Sequence, residues 1–293
     1  MFDGAVPTFD VHQHLWPEQL LAALARRRRP PRLAGSVLEL ERQGSFEVDL
    51  PKYGLDARLR DLDRDEIDAA VVSLAPSLEV EELPEAEAEP LIAAYHEGIL
   101  EAAAESRGRI RPLAAGRVLD GFAGATVAAG TLVDLEAAAP LLDDLAATGG
   151  TLFVHPGPCD LRADKPAWWP AVVDYTAQMQ AAYASWLANG AERWPQVQVV
   201  FAILAGGGPF QVERLRSRGF EVRPALLPNV YLETASYGRR ALELCLSTFG
   251  VRQLLYGSDA PIVDTARTLQ EVRAFGQAVA DALCRDNPTR LFG

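Results

Sequence analysis

Thr8-Phe9-Asp10-Val11-His12-Gln13-His14-Leu15-Trp16-Pro17 places two histidines, two residues apart, at the end of a short apolar run, residues 8–11. In a strand, residues i and i+2 face the same way, so both imidazoles can grip one cation. A His-x-His pair alone fits an exposed strand end equally well. The chain has only four histidines, however, and His155 closes a second apolar run, Thr151-Leu152-Phe153-Val154. The pair therefore has a partner at another strand end.

Runs of the same kind recur at residues 8–11, 69–74, 110–115, 124–127, 151–154, 197–203, 230–233 and 254–256. Segments of helical period separate most of them, as in 90–106, where Leu91, Ala94, Tyr95 and Ile99 share one face, and in 135–147. Alternating short strands and helices describe repeated βα units. Eight units predict an α/β fold, a (β/α)8 TIM barrel formed by residues 1–293 as one domain. The spacing is uneven: long insertions follow strands 1 and 5, spanning residues 15–68 and 156–196. Both exceed ordinary loops and leave strand ends that carry histidine, so they are expected to roof a pocket. The second is rich in aromatic residues: Trp168, Trp169, Tyr175, Tyr183, Trp186 and Trp194. These serve as core, as pocket lining or as a homodimer contact. The acidic run 79–89 reads as a solvated loop and helix start.

Composition narrows the partner. At 49% hydrophobic and 23% charged, the 293-residue chain has the balance of an ordinary globular protein. No apolar stretch approaches the roughly 18 residues of a membrane span. A net charge of −12 argues against nucleic acid, whose phosphates call for Lys and Arg. Cys159, Cys245 and Cys284 are odd in number and far apart, which predicts free thiols and, with no secretory pattern at Met1-Phe2-Asp3-Gly4, a cytoplasmic location. A small-molecule substrate is expected.

Three motifs in order, Asp10-Val11-His12-Gln13-His14, Phe153-Val154-His155-Pro156-Gly157 and Tyr256-Gly257-Ser258-Asp259-Ala260-Pro261, resemble the amidohydrolase superfamily. The resemblance is to the amidohydrolase-2 branch, which includes aminocarboxymuconate-semialdehyde decarboxylase and related decarboxylases and hydrolases. It extends over nearly the whole chain, through Asn229-Val230-Tyr231-Leu232-Glu233-Thr234 to Asn287-Pro288-Thr289-Arg290-Leu291-Phe292-Gly293. It implies that His12, His14, His155 and Asp259 ligate a divalent metal, one Zn²⁺ being the expectation, and that Asp259 also moves a proton. No lysine lies in the fourth run to bridge a second ion. The reaction class implied is metal-assisted hydrolysis of an amide, ester or lactone; non-oxidative decarboxylation of an aromatic or unsaturated acid is the alternative.

One departure matters. The family carries a histidine at the end of strand 6, where this chain reads Phe201-Ala202-Ile203-Leu204-Ala205-Gly206-Gly207-Gly208-Pro209. Ile203 cannot transfer a proton, and acid–base help is typically worth 10²–10⁴ in rate. Asp259 acting alone, replacement by Glu233 or an insert residue, and a catalytically impaired metal- or ligand-binding barrel all stay open. His96 reads as a packing or helix-surface residue and Gly206-Gly207-Gly208-Pro209 as a tight connection. Arg26-Arg27-Arg28-Arg29, Arg32 and Lys52 are candidates to attract an anionic substrate, and Cys159 lies close in sequence to His155.

Overall fold

The computed structural model describes residues 6–161 and 164–293. Its strands are β1 (Phe9–Gln13), β2 (Arg32–Ala34), β3 (Val37–Leu40), β4 (Gly44–Glu47), β5 (Ala69–Val72), β6 (Ile110–Pro112), β7 (Ala114–Ala115), β8 (Ala125–Ala128), β9 (Thr151–His155), β10 (Gln198–Phe201), β11 (Val230–Glu233) and β12 (Leu254–Leu255). Parallel ladders join β1-β5-β6 and β12-β11-β10-β9-β8-β7. The third run forms two short pieces, β6 paired with β5 and β7 paired with β8. Leu113 N donates to Val72 O at 2.8 Å and Ala114 N to Gly124 O at 3.0 Å, carrying the wall across that break. The circle closes where Val11 N donates to Tyr256 O at 2.9 Å and Asp259 N to His12 O at 2.8 Å. The fold is an α/β (β/α)8 barrel.

Strands in such a wall are covered on both faces, which is why β1, β5 and β9 are buried throughout. Phe9, Phe153 and Phe201 are among its fully buried side chains, each contributing roughly 1.5–3 kcal/mol by leaving water. The outer helices follow ordinary rules. Leu135–Thr148 starts where the Asp134 carboxylate accepts from Glu136 N and Ala137 N, buries Leu135, Ala138, Leu142 and Leu145 along one stripe, and stops at left-handed Gly149. His96, in the helix Glu85–Glu105, is buried and its Nε2 accepts from Ala115 N at 3.0 Å.

The first insertion is more than a connection. After the helix Glu18–Arg26 it forms the antiparallel sheet β2-β3-β4 and then the helix Leu55–Asp65. The β2–β3 hairpin turns at Gly35, whose φ is +64°, and Leu33, Leu38 and Leu40 point inward. Glu79 holds this sheet down, accepting from Glu41 N at 2.7 Å and Arg42 N at 3.1 Å. That corrects the expectation for the run 79–89: Glu79 is buried, and the helix begins at Glu85. Three of the candidate insert cations, Arg27, Arg32 and Lys52, are occupied elsewhere. Arg27 donates to Pro30 O, Pro31 O and Glu87, Arg32 pairs with Glu39, and Lys52 pairs with Asp49.

Candidate active site

His12 and His14 leave β1 on the same face, His155 ends β9, and Asp259 follows β12. One ligand atom from each lies within 4.8 Å of all the others. Asp259 Oδ1 is 3.5 Å from His12 Nε2 and 3.2 Å from His14 Nε2. Two atoms bound tetrahedrally to one zinc-sized ion sit about 3.3 Å apart, so the spacing suits a shared cation. The His12, His14 and His155 rings stand edge to face, with centroids 5.0–5.2 Å apart.

Each imidazole is oriented from behind. His12 Nδ1 lies 2.9 Å from Glu233 Oε2, His14 Nδ1 donates to Ser73 O at 3.1 Å, and His155 Nδ1 donates to Pro156 O at 2.8 Å. A carbonyl only accepts, so Nδ1 of His14 and His155 carries the proton and Nε2 is left with a lone pair. His12 Nε2 is buried with no hydrogen-bond partner among the described residues, an orphan that a metal ion would satisfy. Charge follows the same pattern. Burial pushes His12 down, but Glu233 and Asp259 outweigh it and raise the imidazole to about 9. Burial dominates at His155 and depresses it well below the ordinary value, with His12 and His14 adding to the effect. Asp259 is pushed up by burial, yet its imidazole neighbours hold it below the usual carboxylate value.

Glu233, at the end of β11, is fully buried and accepts from His12 Nδ1, Ile203 N and Ala235 N. Room for it depends on Gly257, where a Cβ would come within 2.5 Å of its Cγ and Oε1. The Ile203 amide reaches Glu233 through an unusual turn. Ile203, Leu204 and Ala205 have φ of +45°, +51° and +55°, and Gly206 and Gly207 continue at +64° and +105°. Left-handed backbone costs a non-glycine residue roughly 1–2 kcal/mol, so the fold stores strain directly beside the cluster. The expected sixth-run extension to residue 203 is therefore replaced by a sharp reversal after Phe201.

Two cavities open onto the cluster, of about 180 Å³ and 340 Å³, and both touch His155, Tyr175, Asp259 and Ile262. The first lies under the insert sheet against Leu38, Leu40, Phe46 and Tyr53, with Tyr53 stacked on Trp16 at 3.9 Å between centroids. Ile203, Ala171, Val172 and Tyr237 line the second. Of the aromatic insert, Tyr175 faces the cleft, whereas Tyr183, Trp186 and Trp194 belong to the core. Ser73, Tyr53 and Ile262 carry no sequence pattern that marks them. Arg32 and Arg26–29 line neither cavity, and neither does Lys52. Cys159 is buried and hydrogen-bonds the Tyr175 side chain.

Residues 9–293 match the family described as amidohydrolase. The chain belongs to that family. As an amidohydrolase it is an enzyme, and its cluster of three histidines and Asp259 stands at the strand ends where a barrel places chemistry. A curated relative, 2-amino-3-carboxymuconate-6-semialdehyde decarboxylase of Dictyostelium discoideum, is 23% identical over 172 residues, covering 53% of this chain. The match spans about half (48%) of that relative's length. Among solved structures, the apo IDCase of Metarhizium anisopliae superposes with a TM-score of 0.81 at 20% identity, covering 98% of this amidohydrolase and 97% of that chain. The Rhizobium 2,6-dihydroxybenzoate decarboxylase gives 0.70 at 16% identity, covering 98% and 99%. A 5-carboxyvanillate decarboxylase from Novosphingobium aromaticivorans, solved with bound manganese and a nitrobenzoic acid, gives 0.75 at 14%, covering 99% and 98%. No helix among the described residues is long and apolar enough to cross a membrane.

Proposed function

We propose that the chain is a non-oxidative decarboxylase of a small aromatic or unsaturated carboxylic acid, with one divalent ion held by His12, His14, His155 and Asp259. One observation carries this reading: Asp259 is the sole carboxylate among the described residues lining the cleft, and Ile203 stands where the resemblance expects a second proton-handling group. Hydrolysis asks for a proton to be taken from water and another delivered to the leaving group. Decarboxylation asks only for a proton at the carbon that loses CO₂. In that step the bond between this carbon and the carboxylate breaks, its electron pair stays on the carbon, and Asp259 delivers a proton drawn from solvent.

Glu233 is a positioning residue in this scheme, because all its neighbours are donors that fix it behind His12. The apolar walls favour a step in which a carboxylate loses its charge as neutral CO₂ departs. A divalent ion held by His12, His14, His155 and Asp259 would supply Lewis-acid charge to anchor the substrate carboxylate. The nitrogen-rich donor set suits Zn²⁺, and the manganese of the Novosphingobium enzyme names the competitor. The names of the similar proteins support decarboxylation over hydrolysis. Residues 1–293 are taken as one domain, supported by a hydrophobic cluster running from Phe9 to Phe292, and the buried free cysteines fit the reducing cytoplasm.

Hydrolysis is the second reading, favoured by the presence of a cavity on each side of the cluster, since a scissile carbonyl carries two arms. Metal-replete protein assayed on hydroxylated aromatic acids for CO₂, and on ester, lactone and amide panels for released acid, separates them. Release of CO₂ is expected. Hydrolytic turnover without it overturns the proposal, and bound metal with neither product identifies an impaired barrel, in which Ile203→His is the variant to assay for gained activity.

A further inference from the structure

The two cavities flank a single reacting position, since the four residues they share include His155 and Asp259. The first is walled by Leu38, Leu40, Phe46 and Tyr53, and away from His14, His155 and Asp259 its polar side chains, such as Gln43, Ser77 and Tyr175, are neutral. The second is walled by Ala171, Val172, Ile203 and Val263, with the hydroxyls of Thr176, Ser236 and Tyr237. Among the described residues, neither is lined by a lysine or an arginine. The strand-6 departure enlarges the consequence, because Ile203 makes the second cavity apolar at the very edge of the cluster.

A substrate carboxylate therefore finds positive charge only at the ligand cluster. A second carboxylate, placed in either lobe, would lose its water with only neutral hydroxyl and amide groups, and no cation, to replace it. Conversely, one aromatic ring occupies one lobe and leaves the other empty of substrate. Resting on the proposed decarboxylation, we infer that the substrate is a monocarboxylate whose carboxyl-bearing unsaturated carbon extends into uncharged apolar groups on both sides, a fused-ring or ortho-alkylated acid rather than a single ring or a dicarboxylate.

Three acids that share an ortho hydroxyl test this: salicylate, 1-hydroxy-2-naphthoate with an added fused ring, and 4-hydroxyisophthalate with an added carboxylate. Calorimetric titration of zinc-loaded protein is expected to rank the naphthoate about tenfold or more tighter than salicylate, as the buried ring area implies, and the isophthalate tenfold or more weaker. Val172, 57% exposed at the wall of the second lobe, tolerates a charge, so Val172→Arg is expected to strengthen the isophthalate and weaken the naphthoate. An isophthalate that binds wild-type protein as well as salicylate, a naphthoate that gains nothing, or failure of all three to bind overturns the inference. CO₂ release is read separately. The expected ranking without CO₂ retires decarboxylation and keeps the two-lobed pocket, whereas CO₂ drawn preferentially from the dicarboxylate keeps decarboxylation and removes the pocket assignment.

Discussion

At the floor of the cleft, His12, His14 and His155 are each oriented by an acceptor fixed in the barrel wall, and all three are buried. At its roof, the two insertions meet through Arg42, which spans Glu82 and Asp160 in the open, with side chains 36–66% exposed. The floor uses few residues and gives each one geometry. The roof uses many and leaves them in water, where an ion pair is worth little. A barrel of this kind holds its chemistry at the strand ends and varies its specificity through the loops.

The sharpest way to break the floor is to remove one imidazole. His155→Ala leaves two nitrogens and one carboxylate, and stoichiometric metal in wild-type protein is expected to fall below a tenth of an ion per chain by mass spectrometry. Retention of a full equivalent would sink the ligand assignment. A smaller effect follows one atom further back. Glu233→Gln keeps the shape but removes the charge that holds His12, and metal affinity is expected to drop about 10–100-fold in a chelator competition, the usual cost of losing an outer partner. Gly257→Ala should act through the same carboxylate, since its Cβ would displace Glu233.

The contrast also explains what the sequence reveals. The floor is written in local signals: two histidines at i and i+2, one at the end of 151–154, and Asp259 beyond 254–256, each at the end of an apolar run. The strand order follows from the βα alternation. Glu233 is visible as a strand end, but its partner, the Ile203 amide, depends on a left-handed turn that no period announces. The roof is written in contacts across long separations, Glu79 to Glu41 and Arg42, or Arg42 to Asp160. Leu38-Glu39-Leu40 does alternate, and Gly35-Ser36 is a hairpin signal, yet of the cavity facing the sheet they form, the segment's other elements supply only Trp16 and Tyr53. Its inner face is completed by Ala75, Leu78 and Tyr175 from elsewhere in the chain.

The barrel has an acid sensitivity of its own, away from the cluster. Burial, and then Arg117, depress His96 to about 4, and its Nε2 must stay unprotonated to accept from Ala115 N. The unfolded chain takes up this proton near 6.5 and the folded one near 4, so stability is present above 6.5 and is lost as pH falls toward 4. The loss is on the order of a few kcal/mol. Chemical denaturation between pH 7 and 4.5 should show it, and His96→Gln, which keeps an acceptor that does not titrate, should flatten the curve. An unchanged slope in that variant would place the acid sensitivity elsewhere.

The smallest expected effect on stability belongs to the roof. Arg42 donates Nε to Asp160 at 2.9 Å and Nη1 to Glu82 at 2.8 Å, while its backbone carbonyl accepts from Leu161 N at 2.9 Å. Arg42→Ala removes the ion pairs and leaves the backbone bond and the Glu79 anchor in place, so the loss is about 1 kcal/mol or less. The side chain nevertheless ties the first insertion to the second, and each supplies walls of the smaller lobe, Gln43 and Phe46 from the first and Tyr175 from the second. Its removal loosens the alignment of those walls without touching a ligand. Metal content should therefore stay at the wild-type value while the KM for the substrate rises several-fold and kcat changes less, a split that steady-state kinetics on the metal-replete variant resolves. A matching fall in metal content would mean that roof and floor are one cooperative unit, and the division drawn between them would fail at this residue.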